Sequence, residues 1–169
     1  QKEKKRIVVT GMGTINALAG NVEQFAEALF AGRCGIGPID LFDTTEFRTH
    51  KGGQVKHFDA RGRIPAEFSI KRMSRADQLA FAATIEALVD AGLYPLPEEA
   101  KENMGVAVGG GSGGLFEAEN FYADLLKKGV ERSRFSRLST VYCASSADRI
   151  ASGLKLCGPK TTFMTACSA

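Results

Sequence analysis

The sequence has few of the residues from which metal sites and disulfide frameworks are built. No two cysteines form a Cys-x-x-Cys pair and no histidines cluster beside them, so we expect neither a zinc site nor a disulfide scaffold. Unpaired cysteines are typical of a reduced, cytoplasmic protein, and we expect no metal or other cofactor. The four cysteines and two histidines among the 169 residues are Cys34, Cys143, Cys157, Cys167, His50 and His57.

Long apolar runs and strong net charge are also missing. The first apolar run breaks after three residues, at Thr10 and Gly11, which argues against a signal peptide or a membrane span there. The net charge is only +3, and aromatic residues do not alternate with basic runs, so nucleic-acid binding is not favoured. An acidic protein partner remains possible, and the length suits one domain with a real core.

What the sequence does contain is an alternation of strand and helix patterns, which predicts a layered α/β domain with a mostly parallel sheet covered by helices. The predicted strands cover residues 6–11 (RIVVTG), a short stretch near 53–55, 104–111 (MGVAVGGG) and 161–166 (TTFMTA). The predicted helices cover residues 21–32, 74–91, 97–103, 114–129 and 140–154. An irregular excursion over residues 34–68 separates the first two helices.

Capping residues support the two clearest helices. Asn21 is a good N-cap, and the helix that follows has an apolar face at Phe25, Leu29 and Phe30. Ser74 with Asp77 three residues later forms a capping box. The apolar face of that second helix is predicted to comprise Leu79, Ala82, Ala83, Ile85, Ala87 and Val89.

Two glycine-rich stretches each follow a predicted strand. VVTGMGTIN lacks the third glycine of a dinucleotide fingerprint, because Asn16 stands there, and no suitably spaced acid follows. VGGGSGG, residues 108–114, lacks the Lys-Ser or Lys-Thr ending of a Walker loop. Gly-x-Ser-x-Gly at residues 110–114 fits a nucleophile elbow, but no histidine follows to form a local triad. We expect this loop to line a pocket, with glycines that allow close backbone approach.

Cys167, in TTFMTACSA, has two interpretations. Small neighbours suit a sharp turn that presents a thiolate where a helix dipole lowers its pKa, and its backbone amide could serve as an oxyanion donor. A buried, inert cysteine is equally compatible with the spacing. Three basic residues precede or begin the long helix: Lys71, Arg72 and Arg75. Cations are unfavourable at a helix N-terminus because they oppose the helix dipole, so their presence there suggests a functional role.

Four motifs in order, KKRIVVTGMGTI, LFAGRCGIGPIDLFD, VAVGGGSGG and GPKTTFMTACSA, together resemble the N-terminal half of β-ketoacyl-[acyl carrier protein] synthases, the condensing enzymes. The resemblance covers nearly the whole chain and is closest to elongating synthases of type II fatty acid synthesis and to polyketide ketosynthases. It implies a thiolase-like fold, two α/β halves in α-β-α-β-α layers, of which residues 1–169 are the first half, truncated at the nucleophile elbow.

The resemblance also implies residue roles. Cys167 is the acyl-accepting nucleophile and a backbone oxyanion donor; malonyl-carrier is then decarboxylated and condensed onto the bound acyl group. An acidic acyl carrier protein docks on Lys71, Arg72 and Arg75. The implied partners are this carrier, malonyl and acyl thioesters, and a second subunit in a homodimer or related heterodimer. The residues implied to line the acyl pocket are Ser112, Phe135, Ser136 and Leu138.

The resemblance further places two catalytic histidines, a lysine and the second oxyanion donor in a C-terminal half, so residues 1–169 alone should be inactive. Three alternatives remain: a non-catalytic chain-length-factor-like subunit, a thiolase acting on coenzyme A esters, and a structural domain with an inert Cys167. The acyl chain-length preference is left open, because Ser112 and Ser136 are polar where bulky apolar residues are common in the family. The sequence also does not distinguish a fatty acid from a polyketide pathway.

Overall fold

The computed structural model describes residues 6–168, and its contacts divide them into two compact units. The first contains the chain up to Phe58 together with Ile85–Pro95, and the second contains Asp59–Thr84 together with the chain from Leu96 onward. The division falls within the long helix, between Thr84 and Ile85. In the described part of the chain, every helix is too short or too polar to traverse a lipid bilayer.

The first unit begins with helix α1 (Val22–Phe30), which starts where the sequence predicts. The Asn21 side chain accepts a hydrogen bond from the Gln24 amide at 2.8 Å, satisfying a donor that the first helical turn leaves free. The predicted apolar face of this helix is only partly covered: Leu29 and Phe30 are exposed, and the buried residue is Ala28. Strands β1 (Ile36–Pro38) and β2 (Lys51–Gly53) then pair antiparallel, close to the predicted short strand.

The predicted strand at residues 6–11 is wrong. Within the described residues this stretch pairs with no strand, and Ile7 and Val9 are 94% and 82% exposed. A β-branched run becomes a strand only when a neighbour satisfies its backbone groups, and the described chain offers none there.

Helix α2 (Arg75–Asp90) forms hydrogen bonds with the segment that follows residues 6–11. Two of its carboxylates accept hydrogen bonds from the segment: Asp90 from the Met12 amide at 2.8 Å, and Glu86 from the Thr14 amide at 3.0 Å. Glu86 also accepts from the Val22 amide at 2.7 Å, at the start of α1. These acids therefore fix the loop before α1 on the last turns of α2.

The start and end of α2 agree with the capping signals, but its buried face is shifted. The buried apolar side chains are Phe81, Ala82, Ile85 and Leu88, while Val89 is 58% exposed. This spacing of 1, 3 and 3 residues follows one helical stripe, whereas the predicted face took in neighbouring small residues.

The second unit carries the elements that lead to the candidate site. Helix α3 (Glu98–Asn103), strand β3 (Val106–Gly109) and helix α4 (Leu115–Lys128) agree with the predicted order, and Gly129 ends α4 with a φ of 76°. Helix α5 (Ser145–Leu154) starts five residues later than predicted, because residues 135–140 wind as a 3₁₀ helix before it. Cys143 therefore lies in the turn before α5 rather than within a helix.

Strand β4 (Lys160–Phe163) lies parallel to β3, with Val106 opposite Lys160 and Gly109 opposite Phe163. This pair is the parallel element of the predicted sheet, whereas β1 and β2 form a separate antiparallel pair. The buried apolar side chains of the second unit are Ala60, Ile64, Phe81, Ala82, Ala118, Phe121, Ala147, Ile150 and Leu154.

Candidate active site

Two loops leave the same edge of the parallel pair. Residues 110–114 follow the carboxyl end of β3, and residues 164–168 follow the carboxyl end of β4. The Gly110 amide donates to the Phe163 carbonyl at 3.0 Å, so the two chains are still paired as they leave the sheet. The carboxyl ends of parallel strands are where open α/β sheets place their ligand sites.

The glycines of the first loop allow very close backbone approach, as the sequence predicts. A Cβ added to Gly114 would lie 2.1 Å from the Thr140 carbonyl oxygen, and one added to Gly113 would lie 2.6 Å from the Val141 carbonyl oxygen. Gly113 also has a φ of +52°, which other residues adopt at a cost. The loop therefore lies directly against residues 140–143.

Cys167 lies in the second loop, in a 3₁₀ turn of residues Ala166–Ser168, and its side chain is exposed. Ala166 has a φ of 51°, a left-handed conformation that is unusual for a residue with a Cβ. The turn is closed by the Ser168 hydroxyl and amide, which donate to the Thr165 carbonyl at 2.9 and 3.2 Å. Within the described residues the Cys167 amide donates to no acceptor, so its N–H remains available.

The other cysteines lie in different surroundings. Cys34 and Cys157 are exposed beside turns, and the Cys143 sulfur lies 3.7 Å from the Gly111 carbonyl oxygen. His50 hydrogen-bonds to Thr44. In the part of the chain that the structure describes, no three His, Cys, Asp or Glu side chains are grouped so that they could hold a metal ion.

The candidate pocket residues fall in two segments that touch. Ser112 is exposed at the tip of the glycine loop, and Phe135, Ser136 and Leu138 lie in the 3₁₀ helix that ends at Thr140, the residue packed against Gly114. The Phe135 ring packs edge-on against Phe121 of α4, with centroids 5.2 Å apart.

Two of the basic residues before α2 lie in a short 3₁₀ turn. Lys71 and Arg72 are exposed in the 3₁₀ turn of residues 70–72, which ends where the Met73 amide donates to the Ile70 carbonyl at 3.1 Å. Arg75 is the first helical residue, and its amide donates to the Glu117 carboxylate at 3.0 Å. The Glu117 carboxylate and the acid of the capping box thus offset the unfavourable placement of cations at this helix start.

A buried carboxylate, that of Asp77, joins the starts of two helices. The sequence predicted its local capping bond but not its contacts with the second helix. Asp77 is 1% exposed and completes the predicted capping box by accepting from the Ser74 amide at 2.9 Å. It also accepts from the hydroxyls of Ser145 and Ser146, each at 2.9 Å, at the beginning of α5. The sequence SRAD carries the capping signal. No local signal predicts the hydrogen bonds from Ser145 and Ser146, which lie 68 and 69 positions further along the chain.

Comparison with known proteins gives consistent matches over the whole chain. The family profile described as "Beta-ketoacyl synthase, N-terminal domain" matches residues 4–169. The 3-oxoacyl-[acyl-carrier-protein] synthase 2 of Synechocystis sp. is 35% identical over 167 residues, covering 99% of this chain and 40% of the relative. The enzyme of the same name from Vibrio cholerae is 38% identical over 167 residues, covering 98% of this chain and 39% of the relative.

A solved structure extends the likeness to the fold. The structure described as the ishigamide ketosynthase/chain length factor superposes with a TM-score of 0.78 and 28% identity, over 94% of this chain and 39% of that one. The chain spans about two fifths of the length of the curated relatives it matches.

Proposed function

Because the chain belongs to the β-ketoacyl synthase family, we propose that the complete protein is a 3-oxoacyl-[acyl carrier protein] synthase in which Cys167 is the nucleophile. The observation that carries this proposal is the exposed turn at Cys167, with its left-handed residue at Ala166, at the carboxyl end of β4. The names of the relatives, which specify an acyl carrier protein, support the substrate class.

The chemistry suits a thiol at this position. The Cys167 thiolate attacks the carbonyl carbon of an acyl-carrier thioester, the bond to the carrier sulfur breaks, and the acyl group remains on Cys167. Malonyl-carrier then loses carbon dioxide, and the resulting enolate carbon attacks the acyl-enzyme carbonyl. The Cys167 sulfur leaves, and the product is a 3-oxoacyl-carrier. The free Cys167 amide would donate to the oxyanion formed in each attack.

We propose that residues 1–169 form the first half of the synthase domain. The second half would supply two histidines, a lysine and the second oxyanion donor, in keeping with the relatives, of which this chain matches about two fifths. Residues 1–169 alone would then lack condensing activity. A homodimer is the assembly we propose for the complete protein.

The remaining roles follow the same assignment. Ser112 and the segment with Phe135, Ser136 and Leu138 would line the acyl pocket, which is supported by the close packing of the glycine loop on residues 140–143. The acyl carrier protein would dock on the basic residues before α2. Support comes from the exposure of Lys71 and Arg72, neither of which forms an ion pair within the described part of the chain.

The proposal is tested by labelling the complete protein with cerulenin or iodoacetamide and identifying the modified peptide by mass spectrometry. We expect Cys167 to react selectively and an acyl substrate to protect it. Cys34 and Cys157 are matched controls, because they are also exposed thiols. Equal labelling of all three would contradict the assignment, as would full condensing activity in a Cys167→Ala variant.

A further inference from the structure

The 3₁₀ helix of residues Phe135–Thr140 presents a face of hydroxyl-bearing side chains. A 3₁₀ helix has three residues per turn, so residues three positions apart lie above one another. Ser136 and Ser139 therefore share one face. Tyr142 continues that face, because the preceding Val141 keeps helical dihedral angles, with φ −74° and ψ −28°. All three side chains are exposed, and they are named here the hydroxyl row: Ser136, Ser139 and Tyr142.

The adjacent face of the same turns makes apolar contacts inside the second unit. The Phe135 ring lies edge-on to Phe121 of α4, with centroids 5.2 Å apart, and Leu138 and Val141 are half-buried. These contacts hold the 3₁₀ helix in one rotational setting, with the hydroxyl row outside them. The row is therefore presented by a packed segment, and a ligand need not order it first.

The hydroxyl row meets the glycine loop of the candidate site. A Cβ added to Gly113 would lie 3.0 Å from the Tyr142 carbonyl carbon. Ser112, the residue before Gly113, is exposed and carries a further hydroxyl. The Gly110 amide, at the start of the same loop, donates to the strand that leads to Cys167. The series of hydroxyls thus begins in the loop that flanks the proposed nucleophile.

Much of the hydrogen-bonding capacity of this series is unused within the described residues. The hydroxyls of Ser112, Ser136 and Tyr142 form no hydrogen bond there, while Ser139 donates to the Ser136 carbonyl at 2.8 Å. Arg149 of α5 contacts the Ser139 hydroxyl at 3.4 Å and belongs to no ion pair in that part of the chain, and its buried Nε has no acceptor. A ligand that carries oxygen atoms can bond to the hydroxyls, whereas a hydrocarbon chain only removes their water.

We propose that the acyl group bound to Cys167 runs along Ser112 and the hydroxyl row, and that the synthase prefers acyl groups carrying hydroxyl or carbonyl oxygens to saturated hydrocarbon chains. This inference rests on the proposed function and adds to it the substrate class, with Ser139 and Tyr142 as further specificity-determining residues. Oxygen atoms on the acyl chain replace the water that the hydroxyls lose, and a methylene group in the same place leaves them unpaired. One hydrogen bond of ordinary strength corresponds to about twofold to tenfold in rate.

The test measures acylation of Cys167 in the complete protein by the pantetheine thioesters of octanoate, 3-hydroxyoctanoate and 7-oxooctanoate, followed by mass spectrometry. In each reaction the acyl group passes to the Cys167 sulfur and the pantetheine thiol leaves. The quantity compared is the rate for each oxygen-bearing donor divided by the rate for octanoyl. In the wild type we expect this ratio to exceed one for at least one donor. In Tyr142→Phe, which lacks a single oxygen atom, we expect that ratio to fall about twofold to tenfold.

A second variant and a matched control accompany Tyr142→Phe. Ser136→Ala combined with Ser139→Ala should lower the same ratio, whereas Ser152→Ala, at an exposed serine of α5 outside the row, should leave it unchanged. Because both rates come from one variant, a folding fault lowers them together and does not change their ratio.

The possible results separate this inference from the proposed function. If Cys167 is acylated but octanoyl is the best donor, or if the ratio is the same in the wild type and in the row variants, the substrate inference fails while the proposed function stands. If no donor acylates Cys167, the proposed function fails and this inference fails with it. A change in oligomeric state of the row variants with an unchanged ratio would assign the hydroxyl row to a subunit contact and overturn the inference.

Discussion

The buried carboxylate of Asp77 gives the sharpest prediction about stability. It is 1% exposed and accepts hydrogen bonds from the Ser74 amide and from the hydroxyls of Ser145 and Ser146, all at 2.9 Å. An Asp77→Ala substitution leaves all three donors without their acceptor. The Ser74 amide and the Ser145 hydroxyl are buried and would each cost about 1–3 kcal/mol when unsatisfied, whereas the partly exposed Ser146 hydroxyl can reach water, so we expect a total loss of about 2–6 kcal/mol.

Asp77→Asn separates charge from shape. The amide is nearly isosteric and keeps one acceptor oxygen, so we expect it to lose about 1–3 kcal/mol, less than the alanine variant. Asp43→Ala is the control, because Asp43 also accepts two hydrogen bonds, both from Thr45, but is exposed to solvent. Its effect on unfolding should be far smaller, since water replaces the lost acceptor.

Urea unfolding of the complete protein, followed by circular dichroism, measures these differences. The expected order of destabilisation is Asp77→Ala, then Asp77→Asn, then Asp43→Ala. The reasoning would be refuted if Asp77→Ala lowered the free energy of unfolding by less than about 1 kcal/mol, because the serine and amide donors would then have other acceptors of equal quality.

Two further predictions concern the glycine loop and a surface carboxylate. Gly114→Ala should lower the unfolding free energy by about 1–3 kcal/mol, because its Cβ would lie 2.1 Å from the Thr140 carbonyl oxygen. Gly110→Ala is the control: its Cβ would meet nothing within 4 Å, so the variant should be nearly neutral in urea unfolding. Equal effects of the two substitutions would contradict the packing argument. The hydrogen bond from Lys128 holds the pKa of Asp124 below its ordinary value, so the pair's contribution to stability is complete above the unfolded-state pKa of the carboxyl group and is lost as the pH falls through the lower folded-state pKa. Carboxyl titration by NMR should show the pKa of Asp124 rising in a Lys128→Met variant, and an unchanged value would argue against this cause.

Features determined by neighbouring residues could be predicted from the sequence. Asn21 caps α1, and the Ser74 hydroxyl caps α2 by accepting from the Asp77 amide, because an N-cap needs only a short polar side chain next to a free backbone amide. The glycine loop was likewise expected to allow close backbone approach, and the contacts at Gly113 and Gly114 confirm it. The family and the thiolase-like fold were also predicted correctly, from motifs spread along the chain.

Features that depend on distant partners could not be predicted in the same way. The run at residues 6–11 has the composition of a buried strand, but within the described residues no strand lies beside it. The start of α5 was placed too early because residues 135–140 have no local signal that distinguishes a 3₁₀ helix from an α-helix. The packing of the Phe68 ring on Phe81, 13 residues further along the chain, likewise had no local signal.

The Asp77 contacts connect two parts of the chain whose proximity the sequence does not reveal: the turn before α2 and the start of α5. Its capping box fixes the start of α2, directly after the turn that carries Lys71 and Arg72. Its bonds to Ser145 and Ser146 fix the start of α5, and α5 leads through β4 to the turn at Cys167. One buried carboxylate therefore links the proposed carrier-docking surface to the segment that ends at the proposed nucleophile. Under the proposed function a carrier-bound acyl group reaches that sulfur from the docking surface, which requires a fixed separation between the two, and a buried, hydrogen-bonded acid is suited to maintain it.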